Sequence, residues 1–105
     1  MTRRAERIED KDISERDNIR FDFTLALATG ETISSAIVTC EVADGTDATP
    51  SAMLSGVPTV ASPLVTQLVI AGTLNVSYYL RCVATLSTGR VLVATGLMRV
   101  LKLAM

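Results

Sequence analysis

The stretch from Val76 to Leu101 limits what this chain can fold into more than any other part of it. Val76, Tyr78, Leu80, Cys82, Ala84 and Leu86 alternate with Ser77, Tyr79, Arg81, Val83, Thr85 and Ser87. That period-2 spacing is the mark of a strand with one buried face. Ser87-Thr88-Gly89-Arg90 then reads as a turn, because Gly89 can take the positive φ of a tight hairpin loop. A β-branched run from Val91 to Leu101 returns along the first strand. The spacing predicts a long C-terminal hairpin whose inward row is Val76 to Leu86. No catalytic group lies within it.

Upstream, Phe21 to Leu27 reads as a first strand, with Phe21, Phe23, Leu25 and Leu27 on one face. Ala28-Thr29-Gly30-Glu31 repeats the form of the later turn. Ile33 to Val42 is the second predicted strand, with Ala36, Val38, Cys40 and Val42 facing one way and Ser35, Ile37, Thr39 and Glu41 the other. Ala43 to Pro50 is a loop by composition, and Ser51 to Pro63 holds one or two short strands that Pro58 and Pro63 confine to an edge. Leu64 to Ala71 is a strand with Leu68 and Ile70 as expected core residues. A chain of 105 residues fits one domain. Six or seven strands separated by turn signals, with no helix after residue 18, argue for an all-β antiparallel sandwich over residues 19 to 105.

Adjacent tyrosines on a strand point to opposite faces. Tyr78 follows Gly72 into the penultimate strand, which suits the tyrosine that bonds back to the main chain in sandwiches of immunoglobulin topology. Tyr79 then faces outward beside Arg81, two residue types enriched in interfaces.

Charge is unevenly spread. Twelve of the 21 charged residues fall in residues 1 to 20, leaving nine for the other 85. The body is therefore covered by neighbours, faced with Ser and Thr, or both. Residues 1 to 18 mix both signs, and a helix there would stack Arg3 on Arg7, Arg7 on Lys11 and Glu6 on Asp10. They read as an extended arm, disordered alone and ordered on a partner. No apolar run follows the N-terminal arginines, and the C-terminal one is broken by Arg99 and Lys102, so neither a secretory signal nor a membrane span is expected. In a protein made in a cytoplasm, Cys40 and Cys82 are expected to be buried free thiols.

Chemistry is hard to place. The chain lacks histidine, its two cysteines lack zinc spacing, and Glu41, Asp44 and Asp47 lack the ligand spacing of a calcium loop. No enzyme activity, metal or cofactor is expected. A net charge of -1 gives no case for nucleic acid or an anionic membrane.

Two passages carry a resemblance. Lys11-Asp12-Ile13-Ser14-Glu15, Phe21-Asp22-Phe23-Thr24, Gly30-Glu31-Thr32-Ile33 and Ser35-Ala36 form the first. Ala71-Gly72-Thr73, then Ser77-Tyr78, Leu80, Cys82, Thr85, Ser87 and Gly89-Arg90 form the second. In order and separation they resemble the immunoglobulin-like fibre-tail adaptor proteins of tailed bacteriophages. The likeness spans most of residues 11 to 92, matches poorly over 43 to 66, and departs from the family at Ile13 and Phe23, where Pro and Trp are frequent.

The resemblance implies an immunoglobulin-like antiparallel β-sandwich of six to seven strands with an extended charged N-terminal arm. It implies a structural virion protein, assembled in the host bacterial cytoplasm, that joins tail or portal-adaptor ring to fibres in the neck or tail. Its partners would be tail, neck or fibre subunits and further copies in a ring, with no nucleic acid, membrane or small-molecule substrate. The expected docking residues are Arg7, Lys11, Asp12, Glu15 and Arg16 on the arm, with Tyr79 and Arg81 on the body. The alternative is a capsid decoration or carbohydrate-binding module on the same fold, which would require exposed aromatics on one surface.

Overall fold

The computed structural model describes residues 5–7 and 10–102, so the arm expected over residues 1 to 18 lies partly outside them. Eight strands follow one another: β1 (Ala5–Arg7), β2 (Lys11–Asp12), β3 (Asp17–Asp22), β4 (Ile33–Asp44), β5 (Leu54–Ala61), β6 (Leu64–Val69), β7 (Ser77–Leu86) and β8 (Val91–Leu101). A single turn of 3-10 helix at Pro50–Met53 precedes β5. One sheet runs β1-β8-β7-β4, with β2 also on β8, and the other runs β3-β6-β5.

The alternation along β7 is realised in full. Val76, Tyr78, Leu80, Cys82, Ala84 and Leu86 are all buried, and β7 pairs antiparallel with β8 from Ser77↔Arg99 to Thr85↔Val91. Gly89 closes the hairpin at φ +89°, a region that L side chains rarely enter. The second strand forms as expected against the other side of β7, from Ile33↔Leu86 to Asp44↔Ser77, and buries Val38 and Cys40. Between the sheets, Ile19, Phe21, Phe23, Met53, Val65 and Val69 meet this row in one core. Gly72 sits at φ +99° against Val100, where an added Cβ would lie 2.8 Å from Cγ2. No larger residue fits there without movement.

Three expectations change. The first core strand begins earlier, at Asp17, and ends at Asp22 instead of continuing to Leu27. Asp22 ends it, because its carboxylate takes the Thr24 N–H at 2.9 Å and turns the chain, leaving Leu25 wholly exposed. In β6 the inward row is Val65, Gln67 and Val69, one residue out of step with the expected Leu68 and Ile70. Gln67 can lie inside because its amide donates to the carbonyls of Ser55, Gly56 and Leu68 at 3.1, 3.3 and 3.0 Å. The register of β5 breaks between Ser55 and Thr59, which leaves carbonyls for Gln67 to satisfy.

The third change is the strand count, which exceeds six or seven because of the short β1 and β2, and these run parallel to β8. Residues 5–7 and 10–18 lie along the sandwich, since β8 offers an edge and side chains of this segment bond to the body. Pro58 does fall in an edge strand, β5, as expected.

Candidate interaction surface

The described residues hold no group of His, Cys, Asp and Glu able to bind a metal ion. Cys40 and Cys82 are free and buried, and burial pushes both thiols up to about 12. Thiols held in the neutral form are poor nucleophiles. What the fold displays is surface.

Inner residues of β4, β7 and β8 alternate with an outer set that the pairing aligns in rows. Glu41, Tyr79 and Leu97 share one row. Thr39, Arg81 and Thr95 share the next. Below them lie Ile37, Val83 and Val93, then Ser35, Thr85 and Val91. Over these four rows the three long strands carry one acid and one base, Glu41 and Arg81. Ile37, Val91 and Tyr79 are 65, 48 and 41 % exposed. Aliphatic side chains so aligned form a face that water covers poorly, and charge depletion is a property of interface cores.

The expected docking residues separate on this scaffold. Tyr79 and Arg81 are both exposed on the outer face, two positions apart on β7. Glu15 and Arg16 are exposed on the turn between β2 and β3. Asp12 and Glu15 shape that turn: the Asp12 N–H donates to Glu15 Oε1 at 2.7 Å, and Asp12 Oδ2 accepts from the Ser14 N–H at 2.8 Å. Of Arg7, only its place in β1 is described.

Lys11 points inward. It is 4 % exposed, and its Nζ donates to the carbonyls of Ala71, Asp12 and Ile13 at 2.7, 2.9 and 3.5 Å. Burial lowers its pKa, against the opposing pull of Glu15 and Asp12. Ala71 adopts a left-handed φ of +54°, uncommon for a residue with a Cβ, and so aims its carbonyl at the ammonium. In this chain Lys11 fastens the N-terminal segment to the loop before β7. A shallow cleft beside it, where the chain crosses between sheets, is lined by Asn18, Ile19, Val69 and Met98 among others.

Two polar clusters escaped the sequence reading in part. Glu31, on the loop before β4, receives Arg90 Nη2 at 2.6 Å on Oε1 and Arg90 Nε at 3.0 Å on Oε2. The Thr88 hydroxyl also donates to Glu31, as does the Ala28 N–H at 2.9 Å. The Arg90 guanidinium, with these donors, holds the Glu31 carboxyl down to about 2. The cluster ties the first turn to the hairpin turn. Its signal was present: both turns have a Thr-Gly pair followed by a charge, of opposite sign, in a body with few charges. The second cluster is centred on Tyr78, whose hydroxyl accepts from the Thr73 N–H at 2.8 Å, as its position suggested, and donates to Asp47 at 2.6 Å.

Comparison with known proteins gives one result. A family model described as podophage GP4 fiber-tail adaptor protein gp77 matches residues 11–99. No curated protein and no solved structure matches the chain.

Proposed function

This chain belongs to the podophage GP4 fiber-tail adaptor family, and from that premise we propose that it joins the tail or its portal-adaptor ring to the fibres in the neck region of the virion. The family is one of structural adaptors, whose partners are other virion proteins of tail and fibre. The observation that carries the proposal is the outer face of β4, β7 and β8. A piece fixed inside an assembly needs a surface with few charges to desolvate, and the rows from Glu41 to Val91 provide one. Tyr79 and Arg81 are its interface-type residues.

The N-terminal segment, residues 1 to 18, is the second contact, with Arg7, Asp12, Glu15 and Arg16 as its docking set, while Lys11 positions them. Copies pack as a ring, so each subunit is braced by neighbours as well as by tail and fibre. The strand order supports an immunoglobulin-like sandwich: β3-β6-β5 and β8-β7-β4 correspond to the two sheets of that topology, and Tyr78 stands at the start of the penultimate strand with its bond to Thr73. A glycan-binding module fits less well, because Phe21, Phe23 and Tyr78 are buried, leaving Tyr79 as the one exposed aromatic.

Phage particles assembled with the double variant Ile37→Lys, Tyr79→Ala provide the test. Both positions are exposed, so the protein is expected to fold, and the particles are expected to lack fibres by electron microscopy. A full complement of fibres would refute the proposal.

A further inference from the structure

Turn tips usually carry small or polar residues, but the turn after β3 carries a leucine. Leu25 is wholly exposed, yet the chain on both sides of it is fastened. Phe23 is buried, and its N–H donates to the Pro63 carbonyl at 3.0 Å. The Phe23 carbonyl accepts the Ala26 and Leu27 N–H groups at 2.9 and 3.2 Å, and both of those residues pack against the core. Asp22 holds the Thr24 N–H, and Arg90 Nη2 donates to the Ala26 carbonyl at 3.1 Å. An exposed leucine by itself means little. One held out by this many bonds is a preformed knob, whose backbone has little freedom left to lose on docking.

The same molecule carries a hole of matching size. The cleft beside Lys11 measures about 180 Å³, and Ile19, Val69 and Met98 give it apolar lining. An apolar cavity of about 150 Å³ takes a molecule the size of benzene. This one therefore has room for a single leucine side chain. It lies along the start of β3, where Asp17 pairs with Val69, whereas Leu25 lies beyond the far end, where Asp22 pairs with Leu64. The strand between them is fixed on β6, so knob and hole of one chain cannot meet. Their charges are complementary. Arg90, with a half-exposed side chain, stands beside the knob, while the cleft is rimmed by Asp10, Glu15 and Asp17 against Arg20, with the Lys11 ammonium directed onto main-chain carbonyls.

We infer that Leu25 of one copy seats in the cleft of the next, on Ile19, Val69 and Met98, with Arg90 turned to the acidic rim. Burial of the leucine supplies affinity, and the charges supply orientation. Such an interface uses different surfaces on the two copies, so each chain offers a knob to one neighbour and a hole to another. When the rotation between copies closes, it generates a ring. A two-fold pairing of knob with knob would leave both clefts unfilled. The inference rests on the ring reading above and supplies its contact.

Full-length protein is compared by sedimentation from micromolar to millimolar concentration, with thermal melts to confirm folding. The wild type is expected to form oligomers larger than a dimer. Leu25→Asp removes the knob at a wholly exposed position, and Asn18→Trp fills the cleft from an exposed position on its lining. Each is expected to weaken association at least about tenfold. An equimolar mixture of the two is expected to stop at dimers, because one component keeps only its hole and the other only its knob. A wild type monomeric throughout, a Leu25→Asp protein that associates as the wild type does, or a mixture no better than its components overturns the inference. If Asn18→Trp disturbs the fold, Leu25→Asp decides alone. Fibre attachment in particles is scored separately, so virions carrying fibres on a non-associating wild type would sink this contact and leave the adaptor reading standing.

Discussion

The hairpin β7–β8 and the segment from Asp10 to Ile13 are held by different forces. The hairpin is fixed by an unbroken apolar row, Val76 to Leu86, whose order along the chain is its order in the core. The N-terminal segment has few such residues and is fixed by polar groups reaching distant main chain or side chains: Lys11 to Ala71, Asp10 to Arg99, the Ile13 N–H to Leu101. Alternation is a local signal, whereas polar capture depends on residues some sixty to ninety positions away. One region is legible residue by residue; the other is legible only after folding.

If apolar burial carries the hairpin, its inner row must dominate stability. Leu80→Ala, at a position with no exposed surface, is expected to cost about 3 kcal/mol in chemical denaturation. Val83→Ala, on the half-exposed outer side of the same strand, should cost less than about 1 kcal/mol. Equal losses at the two positions would mean the outer face is as well packed as the core, and the comparison would fail.

The same contrast explains which parts of the fold could be read beforehand. Turns at Gly30 and Gly89, the inward rows of β4 and β7 and the edge position of Pro58 follow from local rules. The row of β6 does not, because Leu64-Val65-Thr66-Gln67-Leu68-Val69 has apolar residues on both faces, and period 2 cannot choose between them. The choice falls to Gln67, whose inward amide matches carbonyls freed by the irregularity in β5. Likewise the end of β3 is set by Asp22 competing for the Thr24 N–H, against an apolar alternation that continues to Leu27. On the surface, Tyr79 and Arg81 could be placed from strand parity, while the burial of Lys11 and the pairing of Glu31 with Arg90 required the tertiary fold.

Gln67→Leu tests whether polar capture matters inside the core too. Leucine would match the volume and hydrophobicity of the row, yet it leaves the Ser55 and Gly56 carbonyls without their donor. The expected cost is about 2 kcal/mol, the order expected for stranding buried acceptors. A neutral or stabilising result would show that β6 is set by apolar content after all.

Glu31 extends the test to pH. Its folded carboxyl sits at about 2 against an ordinary 4.5, so between those values the unfolded chain binds more protons than the folded one. The stability the carboxylate contributes is present above pH 4.5 and is lost as pH falls towards 2. In a thermal melt series, Glu31→Gln is expected to lower Tm at pH 7 and to lie closer to wild type near pH 2. A Tm difference independent of pH would mean that the carboxylate's charge is not what joins the two turns.

The smallest effect is expected at Arg99, whose guanidinium grips Asp10 through Nε at 3.2 Å and Nη2 at 2.8 Å on the exposed side of β8. An ion pair open to water on both partners adds little to global stability, and salt screens it. Arg99→Ala should therefore leave Tm nearly unchanged, because the hairpin core beneath is untouched. Its consequence should be local. The Ile13 N–H that donates to Leu101 and the backbone of β2 belong to the segment this pair helps to hold, so their amide hydrogens should exchange faster, with β7 amides unaffected. Raising salt in the wild type should move exchange in the same direction. If β7 amides accelerated to the same extent, the two regions would be one cooperative unit, and the division between apolar and polar attachment would have no counterpart in how the protein opens.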